Sequence, residues 1–256
     1  MEIGVCVKRV PQVGGRVVLT PDAQDVDTRM SGFAVSPHEE CAVEAAVQLT
    51  EREGGRVTVL SLGPPQAAEQ LRDMLALGAH QALLLETDER EWGPIATAAA
   101  IADAVRSRAA AGEPDFDLLL FGNEAADTGG YQVGIRVAHA LGLPAVTGIK
   151  ALTRTPGGLR AGREYRGTHE SYDLALPAVV GVKEGINLPR YPSLPGRLRA
   201  KRAPLQVIPV PWQPEGLRKE RLRRPAQPRR EAEILGTGVD AVPALVDLLD
   251  RLGMLP

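Results

Sequence analysis

The sequence contains few of the residues from which common metal and catalytic sites are built. It has only two cysteines, Cys6 and Cys41, which are too few for a disulfide framework and are not spaced as in a zinc knuckle. Its four histidines fall in different predicted elements, with no spacing typical of a metal site. No GxSxG motif or other nucleophile signature is present. The sequence therefore predicts no metal site and no self-contained catalytic group.

Aromatic residues and net charge are also scarce. Aromatics make up 4% of the chain and hydrophobic residues 44%, so the core must be built mainly from Leu, Val, Ala and Ile. The 30 Lys and Arg residues nearly balance the 32 Asp and Glu residues, which gives no overall field that favours nucleic acid. No segment has the ~20 apolar residues that span a bilayer, and the start lacks the basic region and long apolar stretch of a signal peptide. We expect a soluble cytoplasmic protein that does not insert into membranes.

Strand-like and helix-like segments alternate over roughly the first 148 residues. Short apolar runs predict buried strands, and longer runs with apolar residues at helical spacing predict helices. Strands are expected at 3–7, 56–63, 81–86 and 116–122, and helices at 40–53, 64–77, 94–111 and 130–141. This order predicts right-handed βαβ units and a parallel sheet with helices on both faces. In such sheets ligands bind beyond the carboxyl ends of the strands, near a switch in strand order.

The pattern changes after residue 148. A hairpin with Pro-Gly-Gly turn chemistry is predicted first, followed by a strand that ends near Val182. Beyond Leu188 the chain is rich in Pro and Arg, which argues against ordinary helices and interior strands for most of it. An amphipathic helix is expected near the end, with Val242 and Leu245 on its apolar side. We therefore predict an α/β domain over 1–202 and a C-terminal arm over 203–256 that packs on a partner or back on its own domain.

The stretch FGNEAADTGGYQVGIRVAHALGLP, residues 121–144, places small and polar residues where a strand passes into a helix. Unpaired amides at a helix start and the helix dipole both favour an anion there, and glycines at 129 and 130 permit close approach of a ligand. The alternative is a tight turn in which Asp127 or Thr128 caps the helix. The loop is neither a GxGxxG fingerprint nor a GxxxxGK(S/T) phosphate loop, so hydride transfer and nucleoside-triphosphate hydrolysis are disfavoured.

Three stretches together resemble one family, the β subunit of electron-transfer flavoproteins. They are VCVKRVP followed by SPHEECAVEAAVQL, then LSLGPPQAAEQLRDMLALGAHQALLL, and finally LPAVVGVKEGINLPRYPSLPGRLRAKRAPLQV. The resemblance runs in order from residue 1 to about 210. It implies an α/β nucleotide-binding domain over 1–202, of the adenine-nucleotide alpha-hydrolase-like or Rossmann-like type, plus an extended C-terminal arm over 203–256 that packs on the partner subunit. It also implies a heterodimeric electron carrier, not an enzyme with its own substrate.

The resemblance further implies cofactors and partners. An α subunit would hold most of a redox-active FAD, shared at the interface, and this subunit would bind AMP or a second FAD. Electrons would come from dehydrogenases and pass to a quinone oxidoreductase or another acceptor. The loop keeps Asp127, Gln132 and Gly134 of the family pattern, while Ile135 replaces a proline. We favour AMP.

Residues matched to the family's nucleotide pocket lie in four segments. They are Cys6; Ser36, Pro37, His38 and Glu39; Leu62; and Gly122, Asn123, Glu124, Ala125, Ala126, Asp127, Thr128, Gly129, Gly130, Tyr131, Gln132 and Val133. Ser36, Pro37 and Glu39 also have the pattern of a capped helix start. His38 and Val13 match positions near the flavin where the family has aromatics. For His38 two alternatives stay open, hydrogen bonding near the flavin or a solvent-facing place on the helix.

The segment 190–202 resembles the family's docking loop for dehydrogenases. Leu194 stands at the position of the anchor leucine, which would enter an apolar pocket of the partner. The alternative is that Leu194 packs inward under its own loop. The other predicted partner-binding residues are Arg190, Tyr191, Pro195, Arg197 and Glu164.

Two other classes of protein compete with this interpretation. One is an ATP-using enzyme of the same broad fold, which would need a Ser-Gly-Gly or His-x-Gly-His type of loop near the first strand. The other is an adenine-nucleotide-binding module without a redox role, which would be shorter and lack the Pro- and Arg-rich arm. Co-purification of a yellow α subunit would separate the electron carrier from both.

Overall fold

A computed structural model describes most of the chain. The described residues are 1–12, 14, 17–88, 90–216, 219–226 and 232–255. They form two compact units, Met1–Arg221 and Leu222–Pro256. None of the described helices is both long enough and apolar enough to cross a membrane.

The described residues contain twelve strands and six α-helices. The strands are β1 Glu2–Cys6, β2 Val10–Pro11, β3 Phe33–Ala34, β4 Arg56–Gly63, β5 Gln81–Glu86, β6 Leu118–Gly122, β7 Ala145–Ile149, β8 Ala151–Thr155, β9 Gly158–Tyr165, β10 Thr168–Leu174, β11 Ala178–Val182 and β12 Gln206–Pro209. The helices are α1 Pro37–Glu53, α2 Ala68–Leu77, α3 Pro94–Ala110, α4 Val133–Leu141, α5 Leu194–Arg202 and α6 Val242–Arg251.

Seven strands form one sheet in the order β12-β5-β4-β1-β6-β11-β7. The strand pairs of this sheet are all parallel. Val5 in the central strand β1 pairs with Val59 on one side and Leu120 on the other. Strands buried on both faces are expected to be continuously apolar, as β6 (LLLFG) and β11 (AVVGV) are. The α/β parallel-sheet prediction is confirmed.

The helices cover the sheet in two layers, each with its own core. On one face, α1 and α2 bury an apolar cluster that includes Val43, Leu71 and Val5. On the other face, α3 and α4 bury a second cluster that includes Ile101 and Val137. The chain runs from β1 to β4 and β5 on one side and then returns to β6 on the other side of β1. The switch in strand order therefore lies between β1 and β6, where ligand sites of such folds occur.

Most predicted elements are confirmed to within two or three residues. The Pro156-Gly157 turn joins β8 and β9, and β10 extends the hairpin to a three-stranded antiparallel sheet. Helix α4 is a correction, since it begins at Val133 and not at residue 130. Gly129 and Tyr131 have φ angles of 53° and 55°, a left-handed conformation that no right-handed helix contains.

The proline-rich segment contains more regular structure than the sequence predicts. Helix α5 occupies 194–202, with Ser193 as its N-cap and Pro195 in its first turn, where a missing N–H costs nothing. Strand β12 adds to the edge of the sheet beside β5 and ends at Pro209. The predicted domain boundary after residue 202 precedes this strand, and packing of the later arm on a partner stays a prediction.

The segment after β12, which also belongs to the first unit, contacts the start of α3 through polar side chains. Glu215 accepts a hydrogen bond from the Ala96 backbone N–H at 2.5 Å. Gly93 permits this approach, because an added Cβ would lie 2.3 Å from Glu215 Oε2. Nearby, the Trp212 indole N–H donates to the Glu91 carbonyl oxygen at 3.2 Å, and Lys219 Nζ lies 2.7 Å from Glu91 Oε2. Glu215 thus acts as a distant cap of α3.

The second unit contains a short 3-10 helix, Gly238–Ala241, and α6. The amphipathic helix predicted near the end is confirmed. Its apolar side chains Val242, Leu245 and Val246 are exposed.

Removal of the Glu215 carboxylate should lower the stability of the protein. We expect Glu215→Ala to cost about 1 kcal/mol, the usual value of a lost helix cap. Glu215→Gln keeps an acceptor at the same place and should lose roughly half as much. Thermal unfolding of the three proteins, followed by circular dichroism, measures the effect. An unchanged Tm in Glu215→Ala would show that this contact does not stabilise α3.

Candidate functional site

The start of α1 touches the end of β6 at the switch in strand order. Gly122, the last residue of β6, makes this possible, because an added Cβ would lie 2.5 Å from Glu39 Cγ and 3.2 Å from His38 Cβ. Any larger residue at position 122 would push the helix away from the strand. The close contact brings the first turn of α1 against the loop that follows β6.

Glu39 is the polar centre of this contact. Its Oε2 accepts hydrogen bonds from the backbone N–H groups of Lys8 at 3.0 Å and Ser36 at 3.4 Å. The predicted capping box between Ser36 and Glu39 is therefore confirmed. Burial raises the pKa of the Glu39 carboxyl to about 8, against the opposing effect of the hydrogen bonds from Lys8 and Ser36. A buried acid thus joins the loop after β1 to the start of α1.

His38 is buried and connects three segments. Its Nδ1 accepts a hydrogen bond from the Glu184 backbone N–H at 3.0 Å, and its Nε2 lies 3.2 Å from Glu124 Oε1. Because Nδ1 accepts, a neutral ring carries its proton on Nε2, facing that carboxylate. The solvent-facing alternative for His38 is wrong. Its imidazole instead joins α1 to the loops after β6 and β11.

Three further contacts, at and beside Asp127, help to shape the loop between β6 and α4. Lys8 Nζ lies 2.6 Å from Asp127 Oδ2, an ion pair between the loops after β1 and β6. Asp127 Oδ1 accepts from the backbone N–H of Thr128 at 2.8 Å, and Gly129 N–H donates to the Ala125 carbonyl oxygen at 2.9 Å. Asp127 and Thr128 therefore do not cap α4, and the capped-turn alternative is corrected. Gln132 occupies the N-cap position instead, but its side chain makes no capping hydrogen bond. Its Oε1 accepts from Arg136 Nε at 3.1 Å and from Arg136 Nη2 at 2.9 Å.

The backbone amides that follow form an uninterrupted donor run. Among the described residues, the N–H groups of 130–135 meet no acceptor, and the first helical bond joins Arg136 N to Gln132 O at 3.0 Å. Tyr131 is left-handed with φ 55°, and Gln132 is right-handed with φ −110° and ψ −37°. Successive residues of opposite hand turn their amides toward a common point, which makes a concavity suited to an anion. The dipole of α4 adds to the attraction.

Cys6 and Leu62 lie at strand ends beside this site, but their side chains belong to the core. Cys6 is packed in the cluster under α3 and α4, and Leu62 is partly buried against the same cluster. Burial, and secondarily the charge of Glu39, raises the pKa of the Cys6 thiol far above its usual value. Any ligand contact made by these two residues would involve their backbone atoms.

The structure also shows a polar residue that the sequence analysis did not single out. Lys8 places a cation directly after the first buried strand, beside the loop that carries Asp127. Its position was the available signal, since the first charged residue after a central parallel strand stands at the ligand edge. Val13, matched to the flavin side of the family, lies outside the described residues.

The predicted partner-binding residues form a separate group. Leu194 and Tyr191 are exposed on and before α5, which disagrees with inward packing of Leu194. Arg190 is held within the chain by ion pairs to Glu44 and Glu51. Glu164 lies on β9 of the three-stranded sheet, with Lys150 Nζ at 3.9 Å. The remaining two, Pro195 and Arg197, belong to α5.

Fold and site together define a class of protein. The first unit is a doubly wound α/β domain whose switch point carries a closely packed helix start and a run of free amides that suits an anion. Sequence comparison then specifies the family. A family model described as "Electron transfer flavoprotein domain" matches residues 26–212.

Individual relatives agree with the family model. The chain is 34% identical to "Electron transfer flavoprotein subunit beta" of Bacillus subtilis (strain 168) over 211 residues, covering 81% of this chain and 79% of that protein. It is 34% identical to the protein of the same name from Syntrophomonas wolfei over 206 residues, covering 80% and 78%. A third, from Mycobacterium leprae, is 34% identical over 212 residues, covering 80% and 78%. The chain belongs to the electron transfer flavoprotein β-subunit family.

The buried Glu39 should make stability depend on pH. Its pKa is about 8 in the folded protein and about 4.5 as the usual value. Between these two values the folded protein binds a proton that the unfolded chain has lost. The free energy of unfolding is therefore highest below pH 4.5 and falls as pH rises from about 4.5 through 8, at up to ~1.4 kcal/mol per pH unit. Glu39→Gln cannot ionise, so its free energy of unfolding should fall less between pH 5 and pH 8.

Urea unfolding at several pH values between 5 and 8 measures this slope. The matched control is Glu53→Gln, an exposed position at the other end of the same helix, which should keep the slope of the wild type. Equal slopes in wild type and Glu39→Gln would contradict the assignment.

Proposed function

We propose that this chain is the β subunit of a heterodimeric electron transfer flavoprotein. It accepts electrons from dehydrogenases and passes them, through FAD, to a quinone oxidoreductase or another acceptor in the cytoplasm. The name "subunit beta" shared by its relatives supports an α subunit as the partner. The chain acts as a carrier, without turnover of a substrate of its own.

The observation that carries this proposal is the donor run of residues 130–135 at the switch between β1 and β6. These amides and the Lys8 ammonium can hold the phosphate of an adenine nucleotide. Lys8 provides the positive charge, and its ion pair with Asp127 also neutralises the carboxylate on the loop. The residues fit AMP, and the diphosphate of a second FAD is the alternative for the same place.

The redox-active FAD lies mainly on the α subunit and, when bound, takes up and releases the electrons. This chain contributes a rigid, polar edge next to it. His38 is the residue we assign there, because its imidazole is fixed between the Glu184 amide and the Glu124 carboxylate. A fixed ring can position a hydrogen-bond donor without reorganisation.

Two exposed apolar surfaces suit the two kinds of protein partner. The apolar face of α6 in the C-terminal unit packs on the α subunit, as an amphipathic helix does in an apolar groove. Leu194 on α5 docks the electron donor. The helix also carries Arg197, Arg199, Lys201 and Arg202, so the donor surface should be an apolar pocket with an acidic rim.

The first experiment is to express this chain with its α subunit, purify the complex and measure FAD and AMP after acid release. We expect one FAD and one AMP per heterodimer. Two FAD and no AMP would mean that the pocket of this subunit holds flavin. Failure to form a yellow complex would reject the electron-carrier function and leave a nucleotide-binding domain.

A charge substitution locates the nucleotide within the complex. Lys8→Gln removes the cation beside the donor run, so retained AMP should fall while FAD stays at the level of the wild type. The matched control is Lys150→Gln, because Lys150 lies next to the three-stranded sheet and approaches only Glu164 at 3.9 Å among the described carboxylates. Equal AMP content in all three proteins would argue against phosphate binding at this loop.

A further inference from the structure

The leucines of helix α5 face solvent, while its smallest residues face the protein. Its small residues Gly196 and Ala200 are buried, and an added Cβ at Gly196 would lie 2.9 Å from the Ala76 carbonyl oxygen of α2. The leucines are on the other side, where Leu194 is 72% and Leu198 54% exposed. Residues four apart lie on one face of a helix, so the two leucines form a ridge that points to solvent.

An arginine fixes the chain just before this helix. The Arg190 guanidinium lies with Nε 2.8 Å from Glu44 Oε2 and with Nη1 2.6 Å from Glu51 Oε1. Nη2 completes both pairs, at 3.1 Å from Glu44 and 2.9 Å from Glu51, and the Arg190 backbone N–H donates to Glu44 at 3.1 Å. Asn187 adds a bond from its side-chain amide to the Cys41 carbonyl oxygen at 3.0 Å. Three residues of α1 therefore hold the approach to α5.

A second arginine fixes the other end of the helix. Arg72 of α2 donates from Nη1 to the carbonyl oxygens of Ala200 at 2.8 Å, Lys201 at 3.2 Å and Ala203 at 3.2 Å. These carbonyls belong to the last helical turn and its end, where helical partners run out. The Ala200 oxygen also accepts from the Ala203 backbone N–H at 3.3 Å. A cation at this position also interacts favourably with the helix dipole. Ser193 caps the first turn through its Oγ, which accepts from Gly196 N–H at 3.1 Å.

We propose that Arg72 and Arg190 are positioning residues for docking of the electron donor. They hold the segment 190–203 in one shape, so that Leu194 and Leu198 stay outward as a preformed ridge. The inference rests on the proposed function, in which Leu194 docks the donor. It adds a second anchor, Leu198, and a cause for the outward orientation of both.

The energetic reason is preorganisation. A free segment of this length with exposed leucines would lower its energy by folding them against its own surface. Docking would then require the segment to be reordered, and that cost would appear as weaker association. The Arg72 and Arg190 side chains already hold the segment in its docking shape, so this cost does not arise when the donor binds. Neither arginine touches the nucleotide site or α6 through any hydrogen bond among the described residues, so cofactor content should not depend on them.

The test uses the complete complex with its α subunit and a flavin-dependent dehydrogenase that reduces the wild-type complex. Arg72→Ala should raise the KM for the complex by ~3- to 10-fold with little change in kcat, since docking and not electron transfer is weakened. Arg72→Lys keeps a cation near the carbonyls and should restore at least half of the loss. Leu194→Ala and Leu198→Ala should each raise KM by ~10-fold, as buried anchors do.

A donor-free measurement accompanies the kinetics. Trypsin cleaves after the basic residues of α5 only when the helix opens, so Arg72→Ala should be cut in 197–202 several times faster than wild type. Arg190→Lys, which cannot span both Glu44 and Glu51 with a planar fork, should behave like Arg72→Ala. FAD and AMP contents of every variant should equal those of the wild type.

The outcomes separate the two levels of the proposal. If Leu194→Ala leaves KM unchanged, docking at this helix is wrong, and the positioning role falls with it. If Leu194→Ala raises KM while both arginine variants match the wild type in KM and in trypsin cleavage, docking stands and the positioning role is overturned. A KM increase in Arg72→Ala without faster cleavage, or without rescue by lysine, would also overturn it.

Discussion

The close contact of α1 with the end of β6 is the constraint on which the candidate site depends. It exists because Gly122 has no side chain at a place where a Cβ would lie 2.5 Å from Glu39 Cγ. Once the helix is so close, its first turn must satisfy its own polar groups and those of three neighbouring loops. Glu39 does this for Lys8 and Ser36, and His38 does it for Glu184 and Glu124. The glycine at position 122 thus fixes the geometry of three loops at the ligand edge.

The parts that were predictable from the sequence are those decided by local chemistry. The parallel sheet follows from short apolar strands between longer amphipathic runs, since strands buried on both faces need little else to be recognised. The start of α1 was predictable because Ser36, Pro37 and Glu39 act on one another within a single turn. The turn between β8 and β9 was predictable for the same reason, from Pro156 and the two glycines after it.

The parts that were missed depend on contacts between residues far apart in the chain. Strand β12 is a strand only because β5 offers it an open edge, where Pro209 costs no hydrogen bond inside the sheet. Helix α5 lies in a proline-rich segment, and Arg72, more than a hundred residues earlier, donates hydrogen bonds to the carbonyls at its C-terminal end. The burial of His38 follows from Glu184, 146 residues later. The sequence around β12 and His38 contains no local pattern for these contacts. For α5, Ser193 and Pro195 indicate only where a helix can begin.

In the loop of 123–132 the backbone conformation matters more to the proposed site than the side chains do. The donors that face the proposed ligand are backbone amides, which most side-chain changes leave in place. What the sequence must preserve is the left-handed conformation at Gly129 and Tyr131 and the release of the amides from helical bonding. The charge of Asp127 would repel a phosphate if it stood alone, and Lys8 at 2.6 Å cancels it. Binding at the proposed nucleotide site should therefore depend less on the side chains of the loop than on Lys8, Asp127 and the run of free N–H groups.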